Sequence, residues 1–252
     1  MNLRELINGA LASRGYRLAS TRKELCNRDL EADLRRLFAA RPPRTIFDVG
    51  AFDGAYAEEY RRLFPKARIY SFEPNPDQAA VLAGKFPEGG AVTVAAAAVG
   101  AAAGTAVFHL NDFAQTNSLL PTAAAVAEAG IAVQMETRRR VEVPVVSLDG
   151  FCRERGIAEI DFLKIDVQGA EKGVLAGAAG LLAAGAVGAV QAEISFASYY
   201  EGQTEFHEVG ALLGAAGYRL YNFYNGSVNP TGQLRFCDAL FLSPRLAQSL
   251  EG

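Results

Sequence analysis

The chain has 252 residues, half of them hydrophobic, and a formal net charge of −3. This is enough apolar material for one globular domain with a substantial core, and the balance of charge excludes the basic face that nucleic-acid binding needs. Three widely spaced cysteines, Cys26, Cys152 and Cys237, exclude a disulfide framework and a C-x-x-C zinc site, and read as free thiols in a reducing compartment.

The first residues, Met1-Asn2-Leu3-Arg4-Glu5-Leu6, carry charges where a signal peptide needs an apolar run, so a cytoplasmic protein is expected. Residues 1–43 read as an N-terminal helical extension to a domain spanning 44–252. Leu3, Leu6, Ile7 and Ala10 share one helical face, as do Leu30, Leu34, Leu37 and Phe38. This extension is expected to pack as an appendage, with capping of the substrate pocket or a homodimer through it as the other options. Arg41-Pro42-Pro43-Arg44 interrupts the chain before the first strand.

Thr45 to Asp48 then reads as a buried strand, followed by the turn Val49-Gly50-Ala51-Phe52-Asp53-Gly54 and a helix from Ala55 to Phe64. Gly50 and Gly54 allow a tight turn that lies close to a ligand, and the helix N-terminus offers free N–H groups. Arg68 to Phe72 is the second strand, closed by Glu73 and Pro74. An acidic residue at that strand end is placed to accept hydrogen bonds from ribose hydroxyls. The first loop is not G-x-G-x-x-G, and Asp48 would repel a pyrophosphate. A cationic amino-acid end suits it better, which points to S-adenosyl-L-methionine. Candidate cofactor contacts are Asp48, Gly50, Ala51, Asp53, Gly54, Glu73, Pro74 and Asn75.

Asn75-Pro76-Asp77 opens a helix over 77–84. Ala91 to Ala95 is strand three, and Ala98 and Val99 beyond its tip are small enough to lie against an adenine ring. Thr105 to Leu110 reads as an extra antiparallel strand. The polar loop that follows places Asn117 and Ser118 beside the cofactor mouth. Residues 121–137 read as an alanine-rich helix or lid, and Arg138 to Val146 as a strand whose arginines blunt an edge or hold an acidic substrate. Ser147 caps a helix over 149–155.

The second chemical stretch is Ile160 to Glu171. Strand alternation puts Phe162, Lys164 and Asp166 on one face and Leu163, Ile165 and Val167 on the other. Charged residues in an apolar strand need a partner or a purpose. Asp166 and Lys164 are therefore catalytic candidates, with Glu193 at the end of the strand 187–192; Asp166 is also a cofactor candidate. Gln168, Glu171, Tyr199, Tyr200 and His207 are candidate substrate contacts. No metal is assigned, because Asp166 and Glu193 have no third ligand that can be named. The uncharged stretch 173–193 is broken by glycines and reads as helix then strand, so no membrane span is expected. Two final strands, 218–223 and 237–242, form an antiparallel hairpin with Asn225-Gly226 between them.

These motifs resemble the FkbM-type methyltransferases of the SAM-dependent, Rossmann-like class I superfamily. The resemblance rests on Phe47-Asp48-Val49-Gly50-Ala51 with Gly54, Phe72-Glu73-Pro74, Asn117-Ser118, Val146-Ser147-Leu148-Asp149, Leu163 to Glu171 and Tyr200-Glu201-Gly202-Gln203. It implies an α/β fold with a seven-stranded, mostly parallel sheet flanked by helices and ending in an antiparallel hairpin. It also implies S-adenosyl-L-methionine as donor and O-methylation of a sugar, glycan or secondary-metabolite hydroxyl. Gln168 stands where the resemblance leads one to expect Glu. Two other readings stay open: a nicotinamide-dependent oxidoreductase and a non-catalytic SAM-binding module.

Overall fold

The computed structural model describes residues 29–127, 135–229 and 231–250. The expectations for Leu3 to Ala10, Cys26 and residues 128–134 of the 121–137 lid lie outside the described residues. The first described helix, α1 (Leu30–Leu37), is capped by Asp29, whose side chain accepts from the amides of Glu31 and Ala32. There follow β1 (Thr45–Val49), α2 (Ala55–Leu63), β2 (Arg68–Phe72), α3 (Pro76–Lys85) and β3 (Val92–Ala95). Asn75 caps α3 and Pro76 occupies its first turn, where the missing N–H costs nothing. Next come β4 (Ala98–Val99), β5 (Gly104–Asn111), β6 (Thr137–Val146), α4 (Leu148–Arg155), β7 (Ile160–Ile165), α5 (Glu171–Ala176) and α6 (Ala179–Ala183). The chain finishes with β8 (Val187–Ser195), α7 (Phe206–Ala215), β9 (Arg219–Val228), β10 (Leu234–Leu242) and α8 (Pro244–Gln248).

Seven strands form the main sheet in the order β3-β2-β1-β7-β8-β10-β9. The first five run parallel, and β10 is antiparallel to both β8 and β9. The strand order reverses between β1 and β7, which is where an open α/β sheet forms a ligand crevice. Central strands are covered on both faces; all six residues of β7 are buried. The expected alternation holds. Phe47, Leu163, Ile165 and Val190 enter one core, while Ile46, Ile69, Phe162 and Ala189 enter the other. Leu34, Leu37 and Phe38 join the second core, and Tyr224 donates to Asp33 at 2.7 Å. Burying a side chain such as Phe162 stabilises the fold by about 2 kcal/mol.

The extra strands do not enlarge that sheet. β4, β6 and β5 make a separate three-stranded sheet around Ala98, Phe108, Leu110 and Val143. Arg138 and Arg139 at its exposed edge pair with Asp112 and Asp77. Of the span 121–137, the described part shows a 3-10 turn at Ala124–Ala127 and the start of β6 at Thr137.

The C-terminal hairpin is longer than expected, and Asn225-Gly226 is not its turn. The pairs Ser227–Phe236 and Tyr224–Asp238 leave two residues opposite one, a β-bulge. Asn225 takes the left-handed conformation there (φ 52°) and donates to Asp238 at 2.6 Å, so its tolerance of positive φ bends a strand. The reversal lies at 229–233, where Asn229 Oδ1 accepts from the amides of Thr231 and Gln233. Cys152 and Cys237 are both buried. No helix among the described residues is long and apolar enough to cross a membrane.

Candidate active site

A cavity of about 530 Å³ opens at the carboxyl ends of β1, β2, β7 and β8 and reaches the start of β10. That volume lies within the range of pockets that enclose a cofactor-sized molecule. Of the residues anticipated for the cofactor, Gly50, Ala51, Asp53, Glu73, Pro74, Ala98, Val99, Asn117 and Asp166 line it. Lys164, Gln168, Glu193, Tyr199 and Tyr200 line it as well. Two non-glycine wall residues, Phe52 (φ 46°) and Gln168 (φ 57°), are held in the left-handed region, a strain that folded chains tend to keep at functional sites.

Beneath the cavity floor a polar row crosses the sheet: Ser71, Asp48, Lys164 and Gln191 are register neighbours on β2, β1, β7 and β8. Lys164 is 2% exposed; its Nζ lies 3.2 Å from Asp48 Oδ1 and 3.6 Å from Asp166 Oδ2, and donates to the Gly50 carbonyl at 2.9 Å. Burial opposes its charge, but the carboxylates of Asp48 and Asp166 outweigh burial and raise its pKa. The ring of Tyr56, in the first turn of α2, covers the ammonium at 4.7 Å. Lys164 therefore braces the first loop from below.

Asp48 is fully buried and does not reach the cavity, which corrects its expected contact with a cationic ligand. Burial pushes its carboxyl up and Lys164 pulls it back. The glycines are also needed for a different reason. A Cβ on Gly50 would stand 1.8 Å from the Asp166 carbonyl oxygen, and one on Gly54 would stand 2.7 Å from Leu82 and Phe86. Both let the chain approach itself, and Gly54 does not line the cavity.

Most amides of the first loop, and that of Ala55 at the start of α2, are engaged within the protein. The N–H groups of Gly50 and Ala51 donate to Phe72 O, Phe52 to Glu73 Oε2, Gly54 to Ala51 O, and Ala55 to Asp53 Oδ1. These five donors are therefore taken and cannot cradle a pyrophosphate. Glu73 lines the end of β2, with its other oxygen accepting from the Asn75 amide, and burial raises its pKa to about 7.

Above the polar row, Asp166 and Glu193 emerge on the same face from the ends of β7 and β8. Gln168 Nε2 donates to Asp166 Oδ1 at 2.8 Å and to Glu193 Oε2 at 2.7 Å, while its Oε1 accepts from Tyr200 Oη at 2.9 Å. Burial, then the negative charge of Asp166, hold Glu193 well above the usual carboxylate range. Asp166 is the more open of the two, with 28% of its side chain exposed.

Other anticipated residues serve the scaffold. Asn75 caps α3. Ser118 is fully buried and donates to the Gln168 carbonyl at 2.7 Å. Glu171 accepts from the amides of Gly169 (3.0 Å) and Val167 (3.4 Å), and burial raises it to about 7. His207 is exposed on α7, away from the cavity wall. None of Asn75, Ser118, Glu171 or His207 lines the cavity. The wall also includes Tyr56, Phe113, Arg235 and Phe236, which no sequence motif singles out. Arg235 and Phe236 precede the strand expected from 237 onward, so the early start of β10 hid them.

The family described as methyltransferase FkbM domain matches residues 48–220 of this chain. The 2-O-methyltransferase NoeI of Sinorhizobium fredii (strain NBRC 101917 / NGR234) is 29% identical over 186 residues, which cover 69% of this chain and 72% of that protein. The 31-O-demethyl-FK506 methyltransferase FkbM of Streptomyces tacrolimicus is 31% identical over 163 residues, 57% of this chain and 63% of that protein. The solved N-methyltransferase NodS from Bradyrhizobium japonicum WM9 aligns at a TM-score of 0.45 and 10% identity, over 85% of this chain and 94% of that one.

Proposed function

Because the chain belongs to the FkbM methyltransferase family, we propose that it transfers a methyl group from S-adenosyl-L-methionine to a hydroxyl of a sugar, glycan or secondary-metabolite acceptor. The carrying observation is the first loop, where the amides of Gly50, Ala51, Phe52 and Gly54 are engaged within the protein while the rim carries Asp53, Glu73 and Asp166. A first loop with most of its amides taken and several carboxylates at its rim suits a cationic donor and disfavours a dinucleotide. Glu73 faces the ribose, and Ala98 and Val99 the adenine.

When bound, the donor would supply an electrophilic methyl group open to in-line attack by an acceptor oxygen, the thioether being the group displaced. The chain contributes alignment, exclusion of water and a proton acceptor. Asp166 is the base that takes the acceptor hydroxyl's proton as the new C–O bond forms. Burial and the negative charge of Asp166 push Glu193 upward, so Asp166 is preferred to it as that base. Lys164 acts as a positioning residue through its hold on Asp166 and on the Gly50 carbonyl.

Calorimetric titration with S-adenosylmethionine, and separately with NAD and NADH, tests the reading. Saturable binding of the first alone is expected; binding of a nicotinamide cofactor alone would overturn it. Asp166→Asn should keep donor binding and lose turnover. A fully active variant would remove Asp166 as the base, and an absence of transfer to any hydroxyl acceptor would leave a binding module.

A further inference from the structure

Two cations among the described residues line the cavity, and they are treated differently. Lys164 is neutralised by Asp48 and Asp166. Arg235 pairs with no carboxylate among the described residues. Its Nε donates to Tyr199 Oη at 2.8 Å and its guanidinium carbon lies 5.8 Å from that ring's centroid. Both terminal NH2 groups find no acceptor among the described residues. Because Tyr199 Oη accepts this bond, its own proton is free to donate elsewhere. Two donors thus stand at the cavity with no group among the described residues to receive them.

The pair is held in place from behind. The Arg235 carbonyl accepts from the amides of Phe196 (2.7 Å) and Ala197 (3.3 Å). The Tyr199 amide donates to Gln203 Oε1 at 2.8 Å, and Gln203 Nε2 donates to the Ala197 carbonyl at 2.8 Å. Donors fixed in advance lose little freedom on binding. They also stand at one end of the cavity. Phe236 is the register partner of Ser195, two residues beyond Glu193. β10 lies three strands from β1, about 14 Å along the sheet. The first loop and Glu73 therefore occupy one end of the cavity and Arg235 the other, with Asp166 and Glu193 between.

We infer that Arg235 and Tyr199 form an anion subsite for the acceptor, so the acceptor is a hydroxyl compound that also carries a carboxylate or phosphate group. The guanidinium fork and the phenol hold that oxyanion while the hydroxyl faces Asp166. This rests on the methyltransferase reading above. A side chain present only for solubility would lean toward the carboxylates that share its cavity, whereas Arg235 is held off them by Tyr199.

Protein saturated with S-adenosylhomocysteine is titrated with matched probes: methyl glucoside, glucuronate and glucose 6-phosphate, then 4-hydroxybenzyl alcohol and 4-hydroxybenzoate. At least one anion should bind about tenfold more tightly than its neutral counterpart. That preference should vanish in Arg235→Gln, persist in part in Arg235→Lys, and weaken as salt is added to the wild type. A carboxylate-only or a phosphate-only preference supports the subsite and identifies its oxyanion. Equal binding of neutral and anionic probes, binding of none at millimolar concentration, or a preference that survives Arg235→Gln would overturn it. S-adenosylhomocysteine uptake without anion preference defeats the subsite alone; failure to take it up defeats the methyltransferase reading as well.

Discussion

Gln168 holds Glu193 through a hydrogen bond of 2.7 Å, and the second proton on the same nitrogen reaches Asp166 at 2.8 Å. One uncharged amide therefore joins two carboxyl groups from neighbouring strands without adding to their charge. Tyr200 fixes the other end of that amide, and Ser118 fixes its backbone carbonyl.

Gln168→Glu should be costly for this reason. It removes the donor and sets a third carboxyl group against the other two, a loss of about 3 kcal/mol. For a chain of this size that is a fall in Tm of about 6–12 °C. At acid pH the introduced carboxyl is protonated and donates again, so the deficit should be larger near pH 8 than near pH 5.5. Thermal unfolding at both values checks it; a deficit independent of pH would show that the amide acts only by its shape.

Lys164→Met leaves Asp48 buried without its cation, which should destabilise by about 3–5 kcal/mol. Asp48→Asn in the same background removes the stranded charge, so the double variant should recover most of that loss. Urea unfolding of the four proteins gives the coupling energy. Strict additivity would mean that the 3.2 Å pair contributes nothing as a pair.

Much of this site is legible in the sequence because strand alternation is strict. Lys164 and Asp166 had to share a face once Leu163 and Ile165 were assigned to the core, and Glu73 had to end β2. What stayed hidden depends on tertiary distance. Asp48 looks like a ligand contact at a strand tip, yet the register with Lys164 turns it into a buried counter-ion. Gly50 and Gly54 look like a ligand cradle, yet the space they leave is filled by Asp166, Leu82 and Phe86. Asn225-Gly226 has the composition of a turn, and only the pairing across β9 and β10 makes it a bulge. Arg235 has no motif at all; its meaning lies in the ring of Tyr199.

Burial raises the Glu73 carboxyl to about 7, so its charge changes within the working range. A raised carboxyl favours the folded state in its neutral form, and this contribution fades as pH rises from about 4.5 through about 7. Donor binding should run the other way. The ionised form accepts ribose hydroxyls and attracts a cation, so affinity for S-adenosylmethionine should rise by up to about tenfold between pH 6 and pH 8. Glu73→Gln should bind more weakly and flatten the profile. Titrations across that range decide it, and an unchanged slope in the variant would transfer the effect to another group.

Gly50 and Gly54 both have positive φ, 82° and 77°, but their neighbours differ in kind. A Cβ on Gly50 meets the backbone oxygen of Asp166 at 1.8 Å, which no side-chain rotation relieves, so Gly50→Ala should cost more than about 4 kcal/mol. On Gly54 the clash is with the ends of two side chains, Leu82 Cδ2 and Phe86 Cε2, each at 2.7 Å. Gly54→Ala should therefore cost about 2–4 kcal/mol, the sum of backbone strain and overpacking. Leu82→Ala is destabilising alone, since Leu82 is fully buried, but it opens the space that the added methyl group would need. The double variant should then be more stable than the sum of the two by about 1 kcal/mol. Because Gly54 lies off the cavity wall, folded Gly54→Ala protein should keep its affinity for S-adenosylhomocysteine within about threefold. A folded variant that binds far more weakly would return Gly54 to the cofactor site.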